Sequence, residues 1–126
     1  MSHFLIAVLT ENGTTEEVEK MMAPCKEADG EHENPKSFWD WYEIGGRWNG
    51  HFGGSNRCKV ADLPPAPEGR SNRFFGLITP DGAYHSKGRG GWFGMVFDEK
   101  ENWPEIESDL LASYPDHIAV VVDFHV

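Results

Sequence analysis

His117-Ile118-Ala119-Val120-Val121-Val122-Asp123-Phe124-His125-Val126 closes the chain, and how it alternates decides the arrangement of the rest. The run is rich in β-branched residues and reads as a strand. Successive side chains on a strand point to opposite faces. Ile118, Val120, Val122 and Phe124 therefore share one face, and Ala119, Val121, Asp123 and His125 share the other. A second such run lies at the other end of the chain, from His3 to Thr10. Phe4, Ile6 and Val8 line one of its faces and Leu5, Ala7 and Leu9 the other, so this strand belongs in the covered centre of a sheet. If the two runs pair antiparallel, the end of the last meets the beginning of the first, and His3 comes beside His125.

The elements between them follow from local signals. Thr14 with Glu17 three residues on forms a capping box. Val18, Met21 and Met22 follow at helical spacing, and Pro24 stops the helix. Residues 74–79 and 83–87 read as the arms of a hairpin about the turn Pro80-Asp81-Gly82. Gly88-Arg89-Gly90-Gly91 interrupts the second arm, and residues 92–97 resume extended structure. Asp98 or Asn102 caps a second helix, with Trp103, Ile106, Leu110 and Leu111 on its apolar face. The order β-α-(insert)-β-β-α-β predicts an α+β, ferredoxin-like fold. Its four-stranded antiparallel sheet would carry two helices on one face, with a long aromatic-rich insertion after the first helix.

That insertion covers about residues 25–72 of the single domain formed by residues 1–126. It is expected to pack on the helix-free face of the sheet or at the sheet end. Within it, Ser37 and Asp40 can cap a short helix through Ile44 that stops at Gly45. A strand with a glycine bulge is the competing reading. Residues 50–72 are rich in glycine, proline, asparagine and charge, include Pro64-Pro65-Ala66-Pro67, and read as one long loop.

Composition excludes several functions. No apolar stretch approaches 18 residues, so no membrane span is expected. Residues 4–9 are apolar but short and lack a basic flank, which points away from a secretory signal and toward the cytoplasm. Cys25 and Cys58 sit in no Cys-x-x-Cys pair and read as thiols in a reducing compartment. Twenty-one acidic residues against eleven basic ones give a formal charge of −10, which argues against direct binding to duplex nucleic acid. Such acidity serves solubility, or it forms a surface that competes with nucleic acid for a basic protein partner.

Three constellations carry possible chemistry. On the last strand Asp123 and His125 are neighbours on one face, about 7 Å apart at Cα. With His3 they can bind a metal or form a base with its orienting carboxylate, where a plain solvated Asp–His pair is the alternative. His85, Lys87 and Arg89 make a small basic patch beside glycines whose amides can cradle an anion. Third is Phe38-Trp39-Asp40-Trp41-Tyr42-Glu43-Ile44-Gly45-Gly46-Arg47-Trp48. Trp41, Tyr42 and Trp48 can stack a planar group while Arg47 grips a phosphate or carboxylate. The same indoles can equally be anchors that hold the insertion on the sheet. Trp92-Phe93, flanked by glycines, is a further aromatic pair. No nucleophile motif, Walker loop or dinucleotide fingerprint is present, and no cofactor is expected.

The run Asp40-Trp41-Tyr42-Glu43-Ile44-Gly45-Gly46-Arg47-Trp48 resembles a Trp-Tyr-x-Ile-Gly-Gly-Arg-Trp motif in small uncharacterised proteins of bacteriophages and their bacterial hosts. Thr79-Pro80-Asp81-Gly82-Ala83-Tyr84-His85-Ser86-Lys87-Gly88, Gly91-Trp92-Phe93-Gly94 and the ending Val122-Asp123-Phe124-His125-Val126 are similar to the same group. Its ending has cysteine where this chain has Phe124, which removes support from Cys–His catalysis. The resemblance implies a phage-type accessory protein in the host cytoplasm, without a known activity. It draws attention to Tyr42, Arg47, His85, Lys87, Trp92, Asp123 and His125.

Three functions are therefore expected as alternatives. One is a binding protein for a small anionic, nucleotide-like ligand at Trp41, Tyr42, Arg47, Trp48, His85, Lys87 and Trp92. Another is an acidic inhibitor of a host nucleic-acid-binding protein. The last is a metal- or His-dependent hydrolase using His125 and Asp123 with His85, or His3, Asp123 and His125 as metal ligands. Analogy with ferredoxin-like sheets that pair through their open face makes a homodimer plausible.

Overall fold

The structure is a computed structural model, and it describes residues 3–26, 37–66, 72–90, 96–97 and 99–125. Along the chain run β1 (His3–Thr10), α1 (Thr15–Met22), β2 (Trp41–Ile44), β3 (Arg57–Lys59), β4 (Gly76–Ile78), β5 (Tyr84–Ser86), β6 (Arg89–Gly90), β7 (Val96–Phe97), α2 (Trp103–Ser113) and β8 (Ile118–His125). Among the described residues, no helix is long and apolar enough to cross a membrane.

β1 and β8 pair antiparallel over their whole length, from His3↔His125 to Thr10↔Ile118. The insertion occupies the other edge of β8. β2 pairs with its C-terminal half (Trp41↔His125 to Ile44↔Val122) and β3 with its N-terminal half (Arg57↔Val120 to Lys59↔Ile118). Between them the Gly45 N–H donates to the Val121 carbonyl and the Val121 N–H to the Asn56 carbonyl, each at 2.9 Å. The ladder along β8 is thus continuous, while residues 46–55 leave the edge as a loop. On the far side β4 lies parallel to β1 (Ile6↔Gly76), and β5 returns antiparallel to β4. The sheet order is β2-β8-β1-β4-β5, with β3 beside β8, and β6 and β7 form a separate ribbon.

This corrects the ferredoxin-like expectation of a four-stranded antiparallel sheet with two helices on one face. The sheet is mixed and six-stranded, because the first hairpin arm lies beside β1 in parallel and the insertion contributes two strands of its own. The helices also lie on opposite faces. Phe4, Ile6, Val8, Val120, Val122 and Phe124 pack with Val18 and Met22 of α1. Leu5, Ala7, Leu9, Ala119 and Val121 pack with Trp103 and Leu111 of α2. A central strand that is apolar on both sides needs both sides covered, and one helix layer cannot do that.

The helix expected at residues 37–44 is also corrected: Trp41 to Ile44 is strand β2, followed by a 3-10 turn at Gly46–Trp48. Likewise the long loop expected over residues 50–72 contains β3 and a 3-10 turn at Val60–Asp62. Asn102 stands at the α2 N-cap without a side-chain capping bond. The alternative cap Asp98 lies outside the described residues, and of the extended stretch expected at 92–97 only Val96–Phe97 lies within them. Two other local signals give the elements they predict. Thr14 and Glu17 cap α1 reciprocally, and Gly82 turns the hairpin at φ +85°. Two indoles tie the layers together through polar tips. The Trp39 Nε1–H donates to the Met22 carbonyl at 2.9 Å, and the Trp103 Nε1–H to the Phe74 carbonyl at 2.8 Å.

Candidate functional site

Register alone assembles the end of the sheet. Trp41, His125 and His3 face one another across β2, β8 and β1, so their rings form a row. The His3 and His125 ring centres are 3.9 Å apart, and those of Trp41 and His125 4.3 Å. Two residues inward on the same face of β8 is Asp123, with only 1% of its surface exposed. A carboxylate held that far from water requires partners. His3 Nδ1 lies 2.8 Å from Asp123 Oδ1 and 2.9 Å from Oδ2. The Arg47 backbone N–H donates to Oδ2 at 2.9 Å.

The second of those partners comes from the loop that leaves the β8 edge. Gly46 sits at φ +49°, and a Cβ built there would lie 2.6 Å from Asp123 Oδ2 and 2.7 Å from the Asp123 Cβ. Only a residue without a side chain lets the turn close onto the carboxylate. Sequence reasoning noticed the adjacent glycines but not this role. The signal is the Gly-Gly-Arg succession at a strand edge, and it becomes readable once the partner across the ladder is known.

Asp123 also orients the imidazole it holds. A proton on His3 Nδ1 that bonds to the carboxylate leaves Nε2 of a neutral ring as an acceptor. Burial first, and the neighbouring His3 second, push the His125 pKa below its usual value, against the opposing pull of Asp123 and Asp40. The neutral imidazole so favoured is the form that ligates metal. Ligand atoms of His3, Asp123 and His125 all lie within 4.8 Å of one another. An ion with bonds of 2.0–2.2 Å holds neighbouring ligand atoms about 3.0 Å apart in octahedral and about 3.4 Å apart in tetrahedral geometry. His3 Nδ1 and Asp123 Oδ1, 2.8 Å apart, need separate only slightly for an ion to replace the proton between them.

The other expected site residues divide. Trp41 is 45% exposed, with one ring face toward His125. Arg47 is exposed, with its backbone N–H on Asp123, and its guanidinium forms no ion pair among the described residues. Tyr42 faces the opposite side of the sheet, edge-on to Trp39 with ring centres 4.8 Å apart. Burial, aided by Glu19, raises its hydroxyl pKa. Trp48 packs into the α2-side core and anchors the loop.

His85 pairs with Leu77, which pairs with Ala7, so it lies two strands from β1 and four residues along from His3. That is about 10 Å across and about 13 Å along the sheet. Its Nε2 lies 3.4 Å from Thr79 Oγ1. Lys87 forms an ion pair with Glu99 at 3.0 Å. Trp92 lies outside the described residues. The structure thus brings together His3, Asp123, His125, Trp41 and Arg47, and leaves Tyr42, Trp48, His85 and Lys87 elsewhere.

No protein-family model, curated protein or solved structure matches the chain.

Proposed function

We propose that His3, Asp123 and His125 bind one divalent transition-metal ion, and that this ion activates water to hydrolyse a small anionic substrate. The observation that carries the reading is the convergence of two imidazoles and a buried carboxylate, with ligand atoms within 4.8 Å of one another. Two nitrogens and one oxygen suit zinc, iron(II) or manganese better than calcium or magnesium. Three protein ligands leave coordination positions for water and substrate, as catalytic rather than structural sites do. An ion held by His3, Asp123 and His125 would lower the pKa of a bound water toward neutral and would polarise the phosphoryl or carbonyl group to be hydrolysed.

Cobalt(II) titration followed by visible absorption and calorimetry tests this reading. One ion per chain is expected, with affinity reduced at least about 100-fold in His3→Ala and in His125→Ala. Absence of cobalt binding, or equal affinity in wild type and both variants, rejects it.

A second reading is supported by the −10 charge: an acidic inhibitor of a basic nucleic-acid-binding protein. Its complex should weaken steeply between low and high salt. A complex recovered equally at both counts against it.

A further inference from the structure

The centre has a recognition side as well as a metal side. Trp41 is the one large hydrophobic residue that is exposed among the described residues, and it is not loose on the surface. Its ring lies 4.3 Å from that of His125, tilted at 56° to it, and is held in register by the β2–β8 ladder. Arg47 comes from the turn that follows β2, on the same edge of β8. Its backbone N–H is fixed on Asp123 at 2.9 Å, so the root of the side chain cannot drift, while the guanidinium remains exposed. An exposed guanidinium whose backbone is anchored on Asp123 and an exposed indole beside His125 are two independent handles.

From this geometry we infer that Trp41 and Arg47 select the ligand of the metal centre, and that the ligand is an oxyanion joined to a planar ring. One oxygen of the anion takes an open position on the ion, a second accepts from the Arg47 guanidinium, and the ring stacks on Trp41. The inference rests on the metal-binding reading above. It deepens that reading by separating two halves of one site. Tyr42, Trp48, His85 and Lys87 take no part, since the first lies on the other face, the second anchors the loop, and the last two are two strands away.

The test uses the full chain loaded with cobalt(II), titrated separately with adenosine monophosphate, benzoate, inorganic phosphate and adenosine. Adenosine monophosphate and benzoate separate a phosphate from a carboxylate as the anion. At least one of them should shift the cobalt absorption and quench tryptophan fluorescence at lower concentration than phosphate or adenosine does. Arg47→Ala removes the guanidinium but keeps the N–H on Asp123. It should bind cobalt as wild type does and lose at least tenfold in affinity for the ring-bearing anion. Trp41→Leu should lose affinity for the ring-bearing anion while its phosphate affinity stays within twofold. Unchanged affinities in both variants overturn the inference and leave the metal centre standing. A wild-type protein that binds no cobalt removes the metal reading and this inference together.

Discussion

Gly46→Ala should cost more than its backbone conformation explains, because the added methyl strikes the buried carboxylate. An L-residue held in the left-handed region at φ +49° loses about 1–2 kcal/mol. The new Cβ would also lie 2.6 Å from Asp123 Oδ2 and 2.7 Å from the Asp123 Cβ. A rotamer change at Asp123 relieves the first contact but not the second, so the turn itself must retreat. Retreat breaks the Arg47 N–H bond to the carboxylate, and a hydrogen bond to a charged group contributes about 1.5–3 kcal/mol. The sum is about 2.5–5 kcal/mol, or about 8–20 °C in Tm for a domain of this size. Gly82→Ala is the control. It has a positive φ of +85° and nothing within 4 Å of the added atom, so only the backbone term of about 1–2 kcal/mol remains. Thermal melts of both variants, with cobalt titration of each, give the comparison. Gly46→Ala should melt clearly lower than Gly82→Ala and lose cobalt affinity. Equal melting temperatures with cobalt affinity retained in both would refute the reasoning.

Two further outcomes follow from groups away from the centre. Glu107 is 1% exposed, and its carboxylate accepts the Arg73 and Phe74 N–H groups at 2.7 and 2.9 Å. Glu107→Gln turns one acceptor into a donor against those groups and should cost about 1–3 kcal/mol in urea unfolding. Burial raises the Glu107 pKa in the folded chain, against the opposing pull of the two N–H groups and Arg73. Its contribution is therefore full below the unfolded-state value of about 4.3 and declines as pH rises through the folded value. The stability gap between wild type and Glu107→Gln should narrow from acidic pH toward pH 8, and a gap that widens would reverse the assignment. His85→Ala should leave cobalt affinity within twofold of wild type, and a tenfold loss would place His85 in the centre despite its two-strand separation from β1.

The centre also shows how a carboxylate can be buried near the end of a strand. Asp123 is held from β1 by an imidazole and from the insertion by a backbone amide, so three segments converge on one group. Such a group stabilises the fold only while its partners stay in place, because an unpartnered buried charge is strongly unfavourable. Burial of Asp123 is thereby coupled to the integrity of the β2–β8 edge.

Short-range periodicity was enough for much of the fold. Alternation along residues 118–125 and 3–10 assigns every side chain of β8 and β1 to a face. Antiparallel pairing of their ends then places His3 beside His125. The Thr14–Glu17 cap, the Pro80-Asp81-Gly82 turn and the apolar face of α2 are equally local, since each depends on residues within a few positions of one another. The remainder depended on partners far away along the chain. Residues 41–44 carry rings and charges that suit a helix or an edge strand, and the free edge of β8 decides between them. The choice then separates Tyr42 from Trp41, because neighbours on a strand point to opposite faces. Residues 57–59 are too short to announce a strand without that same edge. The parallel placement of β4, and helices on both faces, follow from the need to cover two apolar sides of one central strand. The closure of Gly46 onto Asp123 joins positions 76 residues apart at Arg47, and that of His3 joins positions 120 apart. Contacts of such separation leave no periodic trace in the residues between, so they exist only once the chain has folded.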